Sequence, residues 1–483
     1  MGLVKDYVIV GGGTSGWMTA AAFLHSNPCQ DITITLIDKE QPDAVGVGEA
    51  TLLGFQEFLI KECGFNQREF LRELDTTFKG GILFDDWGKD GNRFWHPFYF
   101  IFADSNRRRE PMLDAWSNFQ DDFEFNYFSG HFAPCIQNKL DIRHLQDGAL
   151  QVDCKKLVEF IRKKIEHKIT YIESTVVEVN RDRSDITSLN LKNGQEISGD
   201  VYFDCTGFKS LLKEERDLVD LSDRLYCDTA IAGHVPYWNR ELEMHPYTRC
   251  TAVDHGWVWT IPLRSRMGSG LVFNRGVTDV DEAKDYFVNY WSNRIDRDSL
   301  TVIDWTPYYD KTPWVGNVIS IGLSAGFIEP LESTGIALMI EGIAGALGIL
   351  KGRSYSKYHV NWYNLLLQNH FEQCIDFVNM HYSVSNKDTK FWRYVRDNYK
   401  MCSLQEQYID NLDSQSPSAM AGNEFFYCGA NWLHWLVSLG YKIQPKKYIM
   451  HDKLHDIIEE EARLQFDEDH LITHTNFLNE ICK

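Results

Sequence analysis

The chain has 483 residues, enough for a large core and two or three modules, and its 43% hydrophobic and 24% charged residues are ordinary for a globular protein. Lys plus Arg total 49 against 69 Asp plus Glu, a net charge of -20, so nucleic acid and anionic membranes are unfavourable partners. No stretch approaches the roughly 20 apolar residues of a membrane span, no cleavable signal pattern opens the chain, and 11 Cys without Cys-x-x-Cys fit a reducing compartment. A cytoplasmic protein is expected.

In chain order, Asp6 to Val10 reads as an apolar strand, followed by the glycine-rich run Gly11 to Gly16 and a small-residue helix from Trp17 to Leu24. A second strand, Ile32 to Ile37, ends at Asp38. This is a β-α-β unit opening a mostly parallel sheet. Residues 52 to 75 are predicted as one amphipathic helical stretch. Residues 82 to 140 are aromatic and irregular, strands and loops over a pocket. Val152 to Ile165 reads as a helix, Thr170 to Leu191 as two strands around a turn, and Asn193-Gly194 as a further turn. Val201 to Asp204 is a buried strand. Residues 225 to 275 alternate as a separate antiparallel sheet should, and Val318 to Ile321 is another apolar strand. A long small-residue helix runs from near Ser333 to Leu350, and the pattern from 356 onward is mainly helical. There is no internal repeat. The expected fold class is α/β (α+β), with a dinucleotide module over 1–350 carrying inserted segments near 80–140 and 225–300, and a helical part over 351–483.

The motif G-x-G-x-x-G falls at Gly11, Gly13 and Gly16. The first glycine permits a tight turn, the second lets backbone approach a pyrophosphate, and the third lets the helix pack on the strand. The helix N-terminus then faces the phosphate charge. An acid about 20 positions on should hold the ribose, and Asp38 stands there. Alone the pattern also fits a glycine turn without ligand, but strand, helix and acid agree on dinucleotide binding. No second such fingerprint follows, which points to a flavin received already reduced.

Several separated segments resemble the flavin-dependent tryptophan halogenase family. They are Gly11–Trp17, Gly46-Val-Gly-Glu-Ala-Thr51, Thr77-Phe-Lys-Gly-Gly-Ile82, His96-Pro-Phe98, Gly256-Trp-Val-Trp-Thr-Ile-Pro262, Phe327-Ile-Glu-Pro-Leu-Glu-Ser-Thr-Gly335, His381–Ser385 and Phe391-Trp-Arg393. They run in order over roughly residues 5 to 395. The resemblance implies a flavin-monooxygenase-type module with a Rossmann-like sheet, an antiparallel substrate sheet and a helical C-terminal part. It implies halogenation of an electron-rich aromatic compound by reduced FAD (FADH2), oxygen and a halide (chloride, bromide or iodide), through a flavin hydroperoxide and hypohalous acid. The flavin reductase is then a separate partner, and a homo-oligomer is possible.

By the same resemblance, Lys79 and Glu332 are catalytic and Thr334 and Gly335 hold the halide. Flavin contacts fall on Gly11, Gly13, Thr14, Ser15, Gly16, Asp38, Gly48, Glu49, Ala50, Gly322 and Leu323. His96, Pro97 and Phe98 line the substrate pocket, and Trp257 and Trp259 separate flavin from substrate. No metal is implied.

Read on their own, these residues leave alternatives. Lys79, between Phe78 and Gly80, fits a surface lysine with its stem on apolar neighbours or a buried one with a lowered pKa. Trp257 and Trp259 share a strand face, as partition or as core. Ser333 or Thr334 would cap the helix, yet free amides at Thr334 and Gly335 would also attract an anion. His451 and His455 read as a solvated helix face, since the Glu of a zinc motif is lacking. Tyr408 to Gly422 reads as a shortened loop without an ammonium or carboxylate clamp, so indoles, phenols or larger aromatics are expected over free tryptophan. The rival readings are a single-component FAD aromatic hydroxylase and an inactive flavin-binding protein.

Overall fold

The computed structural model of the chain describes residues 3–26, 31–39, 46–87, 93–98, 126, 129, 131–383, 385, 387–412, 426–427, 429–442, 460, 463–464 and 466–481. The expected β-α-β unit is present. Strand β1 (Asp6–Val10) is followed by helix α1 (Thr14–His25), three residues earlier than the apolar pattern alone placed it, and by β2 (Thr33–Asp38). Both strands lie at the centre of a six-stranded sheet, in the spatial order 314–315, 318–320, 201–204, β1, β2, 170–173. All neighbours are parallel except the outer pair 314–315 and 318–320. The apolar runs are buried on both faces, as a parallel sheet covered by helices requires.

Three local expectations are sharpened. The stretch 52–75 is two helices, Gly54–Lys61 and Gln67–Glu73. Gly64, at φ +70°, turns the chain between them, and the Asn66 side chain accepts from the amides of Arg68 and Glu69 to start the second. Thr170 to Leu191 is three strands: 170–173 joins the parallel sheet beside β2, and only 176–182 and 185–191 form the antiparallel pair. The C-terminal part contains, besides its helices, the strand Leu471–Thr473, which pairs with Lys139–Asp141. Part of the segment 82–140, residues 413–422 of the expected loop, and both His451 and His455 lie outside the described residues.

The expected antiparallel sheet has seven strands, in the order 301–304, 229–235, 267–273, 256–262, 248–253, 81–85, 94–97. We label Gly81–Asp85 β4, the edge strand beside it β5 (Phe94–Pro97), and the tryptophan strand β6 (Gly256–Pro262). The pair 248–253 and β4 is the one parallel neighbour contact in this sheet. Between the two large sheets lies a three-stranded one in which 149–152 is central, with 49–50 on one side and β3 (Thr77–Lys79) on the other. Helix α2 (Thr334–Leu350) packs on α1, and helix α3 (Lys357–His381) packs on α2. One large apolar cluster gathers β1, α1 and α2; another gathers β4, β6, the end of α3 and residues 391–436.

Candidate active site

At the turn after β1 the backbone does the work. Gly11 has φ +107°, and a Cβ there would lie 2.3 Å from the carbonyl oxygen of Cys205. A Cβ on Gly16 would lie 1.9 Å from the Gly11 carbonyl oxygen, so only glycine lets α1 start this close to β1. Gly13 differs: a Cβ there meets nothing within 4 Å. Gly13 is the N-cap of α1 and no side chain caps the helix, so its first amides, at Thr14 and Ser15, are open. Asp38 ends β2 beside this turn; a Cβ on Gly12 would fall 2.1 Å from its Oδ2. Burial raises the pKa of Asp38, while hydrogen bonds from the Gly12 and Lys39 amides oppose that rise. Open space, free amides and an acid suit the pyrophosphate and ribose of a dinucleotide.

The other expected flavin contacts converge on this turn and on β6. Gly322 has φ +66°, and a Cβ on it would lie 3.2 Å from Ser15 Cβ; Leu323 beside it is exposed. Gly48, φ +94°, faces Leu263 and Ile261 at the end of β6. Glu49, on the strand of Glu49–Ala50, is pushed up to about 7 by burial.

Lys79 is buried, which removes the surface reading. β3 pairs with 149–152, which also pairs with 49–50, so Lys79 and Thr51 straddle one strand. Lys79 Nζ donates to the Thr51 carbonyl oxygen at 3.0 Å and to Ser333 Oγ at 2.9 Å, and lies 4.8 Å from the centre of the Phe98 ring. No carboxylate among the described residues bonds it. Burial lowers its pKa to about 7, with Glu332 pulling the other way.

Glu332 is also buried but is held on both sides. His96 Nδ1 lies 2.8 Å from Oε2, and His381 Nε2 lies 2.6 Å from Oε1. His381 Nδ1 is 2.7 Å from the Phe377 carbonyl oxygen, so both ring nitrogens face acceptors and a neutral ring donates to the carbonyl or to the carboxylate but not to both. His96 Nε2 faces Asn431 Nδ2 at 2.9 Å. Burial alone would raise the carboxyl; the His96 charge and the hydrogen bonds of both histidines outweigh it and hold Glu332 at about 2. His96 reaches the site from β5, where Pro97 follows it and faces Gly81 of β4 across the strand pair. The ring of Phe98 lies beside Lys79.

Between Glu332 and Thr334 stands Ser333, in the left-handed region at φ +61°. It does not cap α2; its hydroxyl accepts from Lys79 instead. Thr334 Oγ1 is buried without a hydrogen-bond partner, and a Cβ on Gly335 would meet nothing within 4 Å. The first turn of α2 thus combines uncapped amides, an orphaned hydroxyl and free space, which suits a small anion.

Trp257 and Trp259 are buried on one face of β6, ring centres 6.2 Å apart. Gly270 opposite Trp259 has no Cβ, and one would strike that indole at 2.1 Å. Sequence reasoning named these residues but missed Glu329 and Tyr382, which bond each other beneath Trp257. The signal was present in the doubled glutamate of Glu329-Pro-Leu-Glu332.

The profile of the tryptophan halogenase family matches residues 6–456. Tryptophan 6-halogenase ThaL of Streptomyces albogriseolus is 30% identical over 420 residues, covering 81% of this chain and 78% of its own. Tryptophan 7-halogenase RebH of Lentzea aerocolonigenes is 28% identical, over 84% of this chain and 81% of its own. A flavin-dependent halogenase from Xanthomonas campestris superposes with a TM-score of 0.88 at 26% identity, covering 100% of this chain and 99% of that one. Described residues contain no helix long and apolar enough to cross a membrane. The chain belongs to the tryptophan halogenase family and is a flavin-dependent halogenase, which uses reduced FAD from a separate reductase, oxygen and a halide to halogenate an aromatic substrate.

Proposed function

We propose that Lys79 and Glu332 carry the halogen transfer in this chain. The observation behind this reading is their convergence: Lys79 bonds Ser333, the residue next to Glu332, across 254 positions of sequence. Reduced FAD, held at Gly11, Gly13, Thr14, Ser15, Gly16 and Asp38 and flanked by Gly48, Glu49, Ala50, Gly322 and Leu323, supplies with oxygen the two-electron oxidation of halide. Thr334 and Gly335 hold the halide. Hypohalous acid passes to Lys79, whose amine sits near its titration midpoint at neutral pH and orients or captures the halogen. A ring carbon of the substrate takes the halogen as its bond to oxygen, or to Lys79 Nζ after capture with release of water, breaks. The ring proton then joins the hydroxide or the amine nitrogen left behind, giving water or the free amine. His96, Pro97 and Phe98 position that ring. Glu332 is ionised, and its negative charge stabilises the cationic ring; a carboxylate held at about 2 is a weak proton acceptor, which favours this electrostatic role. Trp257 and Trp259 form the wall between flavin and ring.

The relatives named above act on tryptophan or a position of it. For this chain we assign indoles, phenols or larger aromatics, because the sequence from Tyr408 to Gly422 reads as a shortened loop of small and polar residues in which no ammonium or carboxylate clamp is assigned. Bromide and iodide are the favoured halides, since backbone amides discriminate poorly by size and heavier halides oxidise more readily. The test is a competition among equimolar free tryptophan, indole and a phenol, with a flavin reductase, at matched chloride, bromide and iodide. Indole or phenol product dominating supports the assignment; one tryptophan isomer dominating overturns it.

A further inference from the structure

A second carboxylate opens the turn that ends in Glu332. Glu329 is fully buried, and none of the roles above uses it. It does not cap the short turn Pro330–Glu332. Its Oε2 accepts a hydrogen bond from the Tyr382 hydroxyl, and its Oε1 has no partner within hydrogen-bond geometry among the described residues, with Trp257 and Cys227 close enough to favour its charged form. The same hydroxyl accepts from Trp257 Nε1 at 3.1 Å and lies 3.3 Å from Cys227 Sγ. One residue earlier in the chain, at the end of α3, His381 holds Glu332. Two consecutive side chains, His381 and Tyr382, therefore grip the two glutamates at either end of the Pro330 turn.

We infer that Glu329 and Tyr382 are positioning residues, which fix the 329–335 turn against the Trp257 wall and so keep Glu332, Ser333 and Thr334 in register. The inference rests on the role proposed for Glu332. Ser333 sits in a left-handed conformation unfavourable for a side chain, and such a residue holds only where its neighbours over-determine it. Tyr382 supplies that restraint from the wall side and His381 from the substrate side. Burial pushes Glu329 up to about 7, with the Tyr382 hydrogen bond acting against it, so a neutral side chain of the same shape is a close mimic. Misplacement of reacting groups by a fraction of an ångström lowers turnover more than binding.

The test compares Tyr382→Phe, Glu329→Gln and Glu329→Leu with wild type, each with a flavin reductase, bromide and indole. Four quantities are read: kcat and KM for indole, product formed per reduced FAD consumed, and oxidised halide caught by a diffusible 1,3-diketone. Tyr382→Phe is expected to lower kcat about tenfold at unchanged KM, and to raise the caught halide as product per flavin falls. Glu329→Gln, which keeps an acceptor for Tyr382, is expected to stay within about threefold of wild type, while Glu329→Leu follows Tyr382→Phe. Wild-type kcat and coupling in Tyr382→Phe overturn the inference. So does a Gln variant as impaired as the Tyr382→Phe variant. Tyr382→Phe and Glu329→Gln decide the matter even if Glu329→Leu fails to fold. Glu332→Gln, run alongside, separates the two readings: if it turns over like wild type the role of Glu332 fails, and if it is impaired while Tyr382→Phe is not, only the positioning inference fails.

Discussion

Around the turn after β1, the open polar groups are backbone amides, and at Gly11 and Gly16 a side chain is excluded: a Cβ there would overlap a carbonyl oxygen. Around 329–335 the opposite holds. There the working groups are side chains, Lys79, Glu332 and Thr334, all buried. The first region holds one acid, Asp38, and otherwise relies on the charge of a helix end. The second takes charges out of water and must hold each with partners, which it does unequally. Glu332 has two histidines and stays ionised; Lys79 has a carbonyl and a hydroxyl and gives up much of its charge near neutrality. A nucleotide cradle can thus be built from local backbone geometry, whereas halogen transfer needs side chains brought from distant parts of the chain.

Breaking the second region should cost the most. Lys79→Ala is expected to reduce halogenated product about 10³-fold while reoxidation of reduced FAD proceeds within about twofold of wild type, because the role proposed for Lys79 follows the flavin step. Stopped-flow flavin absorbance and mass spectrometry of the product check this, and wild-type yield refutes the role. Glu332→Gln keeps shape and hydrogen-bonding capacity but removes the charge, and about a 10²-fold loss of product formation is expected. Full-rate turnover in that variant would leave Glu332 a turn residue only.

What each region allowed a sequence reader to see follows from the same contrast. The cradle was legible because glycines at fixed offsets, a strand, a helix and Asp38 lie within 33 positions, and pattern reflects local geometry there. The side-chain region was legible only through the family resemblance. Nothing near Lys79 announces Thr51 or Ser333 as its partners, and the cap expected of Ser333 is overridden by Lys79, which takes its hydroxyl. Glu329 and Tyr382 lie 53 positions apart, and although the doubled glutamate of Glu329-Pro-Leu-Glu332 stands out, nothing in either segment points to the other. The helix pair at 54–73 was read as one because amphipathic period survives the break at Gly64.

Within the cradle, two glycines separate ligand approach from packing. Gly13→Val should lower FAD affinity about tenfold or more yet leave the melting point of the FAD-free protein within about 1 °C, since its Cβ enters open space. Gly16→Val should lower that melting point itself, because its Cβ would overlap the Gly11 carbonyl oxygen at 1.9 Å. Fluorescence titration of FAD and calorimetry of both variants check the pair; equal melting points would erase the distinction.

The smallest expected effect concerns the charge on Lys79. In the folded chain its pKa is lowered to about 7, so between there and the ordinary lysine value the unfolded chain binds a proton that the folded chain does not. Stability of the wild type therefore rises with pH across that window, and the cost of the buried ammonium is fully present below it. Lys79→Met removes the titrating group. Its loss of the hydrogen bonds to Thr51 and Ser333 is the same at every pH, so a change in the melting-point difference between variant and wild type isolates the ionisation. Relative to wild type, Lys79→Met should melt about 3 °C higher at about pH 6 than it does at about pH 9.5. A difference independent of pH would mean that Lys79 keeps an ordinary pKa in the folded protein, and that the amine reaches the halogen as a charged hydrogen-bond donor alone.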